Sequence, residues 1–261
     1  MDWNSKIAGY HDIADESPWT LQDLKLLLSV IDLTNLNLQE TEESIAKLCQ
    51  KADSSLGCVA AICVYPKFVP LVAELAPKIN IAAVANFPTG DEKLSDVLKQ
   101  IQNAIESGAK EIDVVFPFST YFKDGKTDAL EFVKQCKKTC GKKLLKVILE
   151  ISEFASSDQI YTVSNEVIDC GANFLKTSTG KSKHGATLES ASVMLLAIHS
   201  QEKRAAGFKA SGGIKEIKQA LAYVKLAKKI MGDEWLDPTH FRIGASHLID
   251  NIFISASDLE N

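Results

Sequence analysis

Lysine residues interrupt three apolar segments of this 261-residue sequence that otherwise read as buried strands. Lys146 lies within Leu-Leu-Lys-Val-Ile-Leu, Lys176 within Phe-Leu-Lys-Thr and Lys209 within Gly-Phe-Lys-Ala. Two acids, Asp32 and Asp113, occupy apolar runs in the same way. An unpaired charge in apolar surroundings costs many kcal/mol, on the order of tens in idealised estimates. The lysines and the acids are therefore expected to meet inside the fold.

Crowded lysines of this kind can supply a nucleophile. Partly desolvated ammonium groups lower one another's pKa, which makes an uncharged amine available near neutral pH. Such an amine condenses with a carbonyl group to form a Schiff base, and a nearby acid can move the protons, so aldol chemistry fits. Glu150 shares the period-two face of Lys146 and is expected in the same lumen. A buried ion-pair network that only fixes strand register is the alternative, and for any single lysine it explains the charge equally well.

Small-residue turns follow the last three apolar segments, as Thr-Ser-Thr-Gly-Lys at 177–181, Ser-Gly-Gly at 211–213 and Gly-Ala-Ser at 244–246. Turns of this type direct backbone N–H groups and helix N-termini toward one point, which suits a phosphate group. A single turn of this type is better explained as a tight loop, but three in succession favour a phosphate site. Its predicted residues are Gly180, Lys181, Gly212, Gly213, Gly244 and Ser246. A nucleotide P-loop is excluded, because Leu175 occupies the position of its first glycine.

The elements that would position these residues alternate regularly between strand and helix. Segments of helical periodicity separate short β-branched runs, which is typical of βα units around a parallel sheet. Eight runs are predicted as strands, at 30–33, 59–65, 79–86, 111–116, 144–151, 174–177, 206–209 and 241–244. Eight units in one chain of this length predict a single-domain α/β fold, a (β/α)8 TIM barrel over residues 20–261 with an N-terminal extension or cap at 1–19. An open doubly wound sheet is less well supported, because no Gly-x-Gly-x-x-Gly follows the first strand.

Apolar periodicity also places the helices. The clearest one carries an apolar stripe from Leu94 to Ile105, and Gly108 follows where a helix is expected to end. A second apolar stripe, from Ile160 to Val167, leads in the same way to Gly171. Further helices are predicted at 21–29, 41–53, 67–76, 128–140, 187–199, 215–230 and 246–255.

Composition narrows the classes of function. A net charge of −5 without a long basic run argues against nucleic-acid binding. No apolar run is long enough to cross a bilayer, and the first residues match neither a signal peptide nor a transit peptide. The six cysteines lack the spacing of a disulfide-stapled secreted protein, so free thiols and a cytoplasmic location are expected. The five histidines show no metal-ligand spacing, and neither a metal nor another cofactor is predicted.

Several of these segments together resemble the deoxyribose-phosphate aldolases, a family of class I aldolases, over roughly residues 20–250. The matching segments are Ile-Asp-Leu-Thr at 31–34, Ala-Ala-Ile-Cys-Val-Tyr-Pro at 60–66, Asn-Phe-Pro at 86–88, Glu-Ile-Asp-Val-Val-Phe-Pro at 111–117, Leu-Leu-Lys-Val-Ile at 144–148, Phe-Leu-Lys-Thr-Ser-Thr-Gly-Lys at 174–181 and Gly-Phe-Lys at 207–209. The resemblance implies the reversible cleavage of 2-deoxy-D-ribose 5-phosphate into acetaldehyde and D-glyceraldehyde 3-phosphate, without a metal. It also implies small-molecule substrates and a homodimer.

The resemblance further implies roles for individual residues. Lys176 would form the Schiff base, Lys209 would lower the pKa of Lys176, and Asp113 would belong to the proton relay. The substrate pocket would include Asp32, Thr34, Cys63, Lys146 and Thr177.

This sequence departs from the family pattern at several positions. Ala-Ser follows Lys209 where Pro-Ala is usual, Lys215 replaces an arginine near the phosphate, and His247 replaces a serine. His247 is expected to cap the next helix or to contact phosphate. Two alternatives stay open, a Schiff-base lyase for another sugar phosphate and a noncatalytic sugar-phosphate sensor. The presence of Lys176, Lys209 and Asp113 together argues against the sensor.

Overall fold

Eight parallel strands close into a barrel in this computed structural model, which describes residues 2–10, 18–201 and 205–260. The barrel strands are β1 (Ile31–Asn35), β2 (Ala61–Val64), β3 (Asn80–Ala85), β4 (Glu111–Val115), β5 (Leu144–Ile148), β6 (Phe174–Lys176), β7 (Gly207–Ser211) and β8 (Phe241–Ala245). Each strand pairs with its neighbours in sequence, and β1 pairs with both β2 and β8 to close the ring. The predicted (β/α)8 barrel is therefore confirmed.

All eight predicted strands are present, with ends that differ by a few residues. The largest difference is in β5, predicted to continue to residue 151 but ending at Ile148. Glu150 adopts a left-handed backbone with φ of 55°, and a 3-10 turn at Ile151–Glu153 follows. A strand cannot continue through such a residue, so the chain turns away from the sheet at this point.

Helices surround the barrel in the order expected of βα units. They are α1 (Trp3–Ile7), α2 (Leu21–Ser29), α3 (Glu42–Lys51), α4 (Val69–Leu75), α5 (Leu94–Glu106), α6 (Phe118–Phe122), α7 (Lys126–Cys140), α8 (Ser157–Asp169), α9 (Leu188–Ser200), α10 (Ile217–Met231) and α11 (Leu248–Glu260). The predicted helices are all found, whereas α1, α6 and a short hairpin at Asp53–Ser54 and Gly57–Cys58 were not predicted. Within the described ranges, no helix has the length and apolar character needed to cross a membrane.

Gly108 and Gly171 end their helices by the same device. Both have positive φ, 117° and 95°, a conformation that side chains disfavour. After α5, Gly108 donates to the carbonyl of Ile105 and the next residue donates to that of Ala104. Gly171 and its successor repeat these bonds after α8. This paired arrangement is the Schellman motif, which turns the chain sharply from each helix into the following strand.

The N-terminal segment contacts the outside of the barrel. Trp3 is buried, its indole Nε1 donates to Asp158 Oδ1 at 2.8 Å, and its ring lies 5.3 Å from that of Tyr161. Ile7 is also buried, which anchors α1 against the outer helices. Residues 1 and 11–17 of the predicted extension lie outside the described residues, and its boundary at residue 19 stays a prediction.

Strand register decides which charged residues become neighbours. Asp113 of β4 is paired with Lys146 of β5, Lys176 of β6 with Lys209 of β7, and Lys209 with Arg242 of β8. Because the strands are parallel and the ring is closed, these side chains converge on the barrel axis. Five consecutive strands, β4 to β8, thus direct their charges into one small volume.

Candidate active site

A cluster of seven buried ionisable side chains occupies the centre of the barrel in the described part of the chain. Its members are Asp32, Glu111, Asp113, Lys146, Lys176, Lys209 and Arg242, and each is at most 3% exposed. Short contacts between opposite charges connect all of them. The expectation that the lysines and acids meet is confirmed for Asp32, Asp113 and the three lysines. We call these seven residues the charge cluster.

Asp113 lies at the centre of the charge cluster. Its Oδ2 accepts hydrogen bonds from Lys176 Nζ at 2.8 Å and from Lys209 Nζ at 2.7 Å. Its Oδ1 accepts one from Lys146 Nζ at 2.9 Å. One carboxylate therefore bridges the three lysines that the sequence singled out.

Asp32 of β1 is the second carboxylate of the charge cluster that contacts several cations. Its Oδ2 contacts Lys209 and lies 3.1 Å from Lys146 Nζ. Its Oδ1 accepts a hydrogen bond from Arg242 at 2.5 Å. Asp32 thus has three cationic partners, as Asp113 does.

Glu111 and Arg242 complete the cluster and were not among the predicted site residues. Arg242 Nη2 lies 3.0 Å from Glu111 Oε1 and its Nη1 lies 3.2 Å from Oε2, a bidentate pair. Glu111 Oε2 also lies 2.5 Å from Lys146 Nζ. The signal that identified the lysines, a charge within an apolar strand, is present in Phe-Arg-Ile-Gly at 241–244 and would have identified Arg242.

Burial and neighbouring charges have opposing effects on the pKa values of Asp113, Lys209 and Lys146. Burial by itself raises the pKa of Asp113, but the charges of Lys146, Lys176 and Lys209 outweigh it and hold that pKa well below its usual range. Burial lowers the pKa of Lys209, yet Asp113 and Asp32 more than compensate and raise it. The same balance raises the pKa of Lys146, which contacts three carboxylates.

Lys176 is the exception among the three lysines. Burial lowers its pKa, and the charge of Lys209 lowers it further against the opposing attraction of Asp113. Burial is the largest cause of this lowering of the pKa, and the role of Lys209 in catalysis stays a prediction. Of the three buried lysines, Lys176 is the one whose surroundings favour the uncharged amine.

A cavity of about 340 Å³ opens above Lys176 at the carboxyl ends of the strands. All six residues of the predicted phosphate site line it, together with Thr34 and Lys176. Residues that were not among the predicted site also line it, including Asn37, Ser211, Lys215 and His247. Asp32, Cys63, Asp113, Lys146, Thr177 and Lys209 are buried below or beside it and do not form its wall.

Thr177 and Ser211 connect the two loops that form one side of this cavity. Thr177 Oγ1 donates to the Ser211 carbonyl at 3.0 Å and accepts from the Ser211 amide at 2.9 Å. A Cβ at Gly212 would lie 2.8 Å from the Gly185 Cα, so the two backbones approach as closely as glycine allows. Thr177 therefore holds the loops in place, and its side chain does not face the cavity.

Glu150 does not join the lysines as its spacing had suggested. Its carboxylate accepts a hydrogen bond from the Thr179 amide at 3.2 Å and one from Ser182 Oγ at 2.9 Å. The expected position in the lumen is wrong because the left-handed residue turns the chain after β5 ends. Glu150 instead anchors the loop that carries Gly180 and Lys181.

Two further predicted pocket residues lie close to the cluster. Cys63 Sγ lies 3.8 Å from Asp113 Oδ2, and burial raises the pKa of this thiol, which keeps it protonated. Thr34 faces the cavity, and its hydroxyl donates to the Asp32 carbonyl at 2.7 Å. Cys63 thus lies buried beside Asp113 without lining the cavity, whereas Thr34 lines it.

Solved structures share this fold along almost the whole chain. A protein from Toxoplasma gondii ME49, provisionally assigned as a deoxyribose-phosphate aldolase, superposes with a TM-score of 0.83 at 23% identity, covering 92% of this chain and 95% of that one. The tetrameric deoxyribose phosphate aldolase from Aeropyrum pernix gives a TM-score of 0.75 at 25% identity, covering 92% and 97%. An aldolase named QR15 gives 0.77 at 26% identity, covering 90% and 99%.

A family model described as DeoC/LacD family aldolase matches residues 26–249. The matched region includes all eight barrel strands from end to end, with every residue of the charge cluster. The chain therefore belongs to the DeoC/LacD family of aldolases.

Proposed function

We propose that this aldolase reversibly cleaves 2-deoxy-D-ribose 5-phosphate into acetaldehyde and D-glyceraldehyde 3-phosphate through a Schiff base on Lys176. One observation carries the proposal: within the charge cluster, Lys176 alone lines the cavity. It is also the buried lysine whose pKa is lowered. The Aeropyrum pernix relative carries the name of this activity. We place the reaction in deoxyribose phosphate catabolism in the cytoplasm, and we keep the homodimer as a prediction.

The proposed reaction begins with the attack of the Lys176 amine on the C1 aldehyde of the open-chain sugar. Loss of water leaves a protonated imine, which withdraws electrons from C2. Removal of the C3 hydroxyl proton then breaks the C2–C3 bond. C3 leaves as the aldehyde of glyceraldehyde 3-phosphate, and the electron pair passes to an enamine on C1, C2 and the Lys176 nitrogen. Protonation of C2 and hydrolysis release acetaldehyde and restore the amine.

Asp113 and Lys209 are the proposed proton relay. The C3 hydroxyl proton must leave and C2 must receive one, so the site needs a group that accepts and returns a proton close to Lys176. Asp113 Oδ2 is 2.8 Å from the Lys176 nitrogen and 2.7 Å from that of Lys209. A proton can therefore pass along hydrogen bonds without leaving the buried cluster.

The glycine-containing loops that line the cavity are the proposed phosphate site. Gly180, Gly212 and Gly244 line the cavity, as do Ser246 and His247 just before the start of α11, and Lys181 and Lys215 add positive charge. Lys176 lines the same cavity. A sugar with an aldehyde at one end and a single phosphate at the other fits this arrangement, since binding at the loops would orient C1 toward the amine.

Borohydride trapping tests the proposal. The protein is incubated with acetaldehyde or deoxyribose 5-phosphate, reduced with borohydride, digested, and mapped by mass spectrometry. The expected result is one modified peptide that carries Lys176, and Lys176→Ala should abolish both labelling and turnover. Lys99→Ala, which removes an exposed lysine of α5, is the matched control and should label like the parent. Full turnover by Lys176→Ala would exclude the mechanism.

Another sugar phosphate is the second candidate substrate, because the matched family contains aldolases under two names. A ketose would place its carbonyl one carbon further along the chain, and a bisphosphate would need a second anion site beside Lys176. Turnover assays with deoxyribose 5-phosphate, an unphosphorylated deoxyribose and a ketose bisphosphate separate these substrates. Preference for the bisphosphate would replace the proposed substrate but keep the Schiff base.

A further inference from the structure

The charge cluster contains unequal numbers of acids and bases. It has three carboxylates, on Asp32, Glu111 and Asp113, against four basic groups, on Lys146, Lys176, Lys209 and Arg242. All seven are buried, where a net charge is costly. The cluster is neutral only when one base is uncharged.

The contacts indicate which base gives up its proton. Lys146 contacts three carboxylates, while Lys209 and Arg242 contact two each. Lys176 contacts Asp113 alone. Arg242 cannot be the uncharged base, because a guanidinium does not lose its proton in a protein. The least-paired base is therefore the one that lines the cavity.

Arg242 decides this balance although it lies away from the cavity wall. It occupies Oδ1 of Asp32 and both oxygens of Glu111. With those oxygens occupied, the lysines share the remaining ones. Without Arg242, three carboxylates would face three lysines, and the neutral state of the cluster would have every lysine protonated, including Lys176.

We infer that Arg242 is a positioning residue that keeps Lys176 as the uncharged amine of the cluster. It does so by permanently occupying carboxylate oxygens that protonated lysines would otherwise share. This inference rests on the proposed Schiff base at Lys176. Glu111 has the opposite effect, because it is the carboxylate that Arg242 shares with Lys146. The pair adds no net charge, and removal of either member alone changes the number of lysines that are protonated when the cluster is neutral.

Other groups near Lys176 differ in their effect. Asp113 of β4, Lys209 of β7 and the Cys63 thiol of β2 act on it directly. Lys181, Lys215 and His247 line the open cavity, where solvent screens their charges. Arg242 on β8 and Lys146 on β5 act from within the buried cluster, where screening is weak. A change at Arg242 is therefore expected to reach Lys176 more strongly than a change at the rim.

The test measures the rate of acetaldehyde trapping on Lys176 as a function of pH for four variants. In Arg242→Met, the midpoint of the increase in trapping rate with pH should be higher by about one pH unit or more, because the pKa of Lys176 is raised. At neutral pH the rate should be about tenfold lower, with recovery in alkaline solution. Arg242→Lys keeps a cation and should stay closer to the parent. Glu111→Gln should move the rise to lower pH, and the double variant Arg242→Met with Glu111→Gln should return toward the parent.

The outcomes separate this inference from the proposed function. If the parent does not label at Lys176, the proposed function fails. If the parent labels and Arg242→Met labels more slowly at every pH with the same midpoint, Arg242 is structural only and the inference is overturned. Circular dichroism and thermal unfolding report whether each variant folds. If Arg242→Met does not fold, Glu111→Gln decides, since an unchanged midpoint in that variant overturns the inference and a lower one supports it.

Discussion

Lys176 and Lys209 donate hydrogen bonds to the same oxygen, Oδ2 of Asp113, at 2.8 and 2.7 Å. The two lysines are register partners on neighbouring strands. They differ in their other contacts, because Lys209 also binds Asp32 whereas Lys176 has no second carboxylate among the described residues. Two identical side chains beside one acceptor therefore have opposite pKa shifts, downward for Lys176 and upward for Lys209.

Lys209→Met should slow Schiff-base formation at neutral pH. The charge of Lys209 is one of the causes that lower the pKa of Lys176, so its removal raises that pKa and leaves less free amine. A shift of about one unit reduces the trapping rate about tenfold below the new pKa, with recovery in alkaline solution. Turnover should fall by about a hundredfold, because the proposed proton relay also loses a member. An unchanged pH dependence of trapping in this variant would contradict the assigned role.

Asp113→Asn should separate Schiff-base formation from turnover. The attraction of Asp113 raises the pKa of Lys176, so the amide lowers it further and labelling at neutral pH should persist. Turnover should fall about a hundredfold or more, because the amide cannot accept the substrate proton. Stability should fall by about 3–5 kcal/mol, since three buried lysines lose a partner. Labelling and steady-state kinetics measured on the same preparation check this, and near-normal turnover would remove Asp113 from the relay.

Gly212→Ala should weaken binding of the phosphate without affecting the amine. Its Cβ would lie 2.8 Å from Gly185, so the two loops must separate. Gly213→Ala is the matched control. The φ of Gly213 is 85°, close to the 94° of Gly212, but no atom lies within 4 Å of a Cβ built at Gly213. Both variants carry the cost of left-handed backbone, about 1 kcal/mol. The KM for deoxyribose 5-phosphate should rise more in Gly212→Ala, while acetaldehyde trapping should match the parent in both. Equal KM values in the two variants would show that the close approach is irrelevant.

Acid should destabilise the fold through Asp32 and Asp113. Burial raises their pKa values, but the buried cations, Lys146 first among them, outweigh it and lower both. A carboxyl whose pKa is lower in the folded state stabilises the protein above its unfolded pKa, near 3.8, and this contribution is lost as the pH falls below that value. The free energy of unfolding from urea titrations should thus decrease below about pH 4.

Asp32→Asn provides the check on that acid dependence. This variant should be less stable than the parent at neutral pH, and its stability should change less between neutral and acidic pH. Asp258→Asn, at an exposed position of α11, should keep the dependence of the parent. Identical slopes for Asp32→Asn and the parent would place the acid sensitivity elsewhere in the chain.

The order of strands and helices was readable from the sequence because each element is marked locally. Apolar β-branched runs alternate with amphipathic segments, and Gly108 and Gly171 mark two of the helix ends. The lysines were informative for a related reason, since a buried charge in a closed parallel barrel requires partners. The same criterion applies to Arg242, although a single arginine beside apolar residues is easily taken for a strand edge.

The contacts within the site could not be read from the sequence. Whether Lys209 or Lys176 contacts Asp32 in addition to Asp113 depends on side-chain geometry across the barrel, which no local sequence pattern encodes. Glu150 illustrates a second limit, since counting alternate residues holds only while the strand continues and β5 ends two residues earlier. Thr177 lies in a family motif, yet the neighbouring loop turns its hydroxyl toward Ser211.

Closure of the ring between β1 and β8 has a consequence for biosynthesis. Asp32 contacts Lys209 and Arg242, which follow it in the sequence by 177 and 210 residues. These two cationic partners are therefore translated long after Asp32. A nascent chain that lacks β8 exposes an unpaired sheet edge on β1 and leaves Asp32 and Glu111 without Arg242. Truncations that remove β8 should therefore lack the proposed Schiff-base reactivity even where most of their helices form, since Asp32 and Glu111 then have no Arg242.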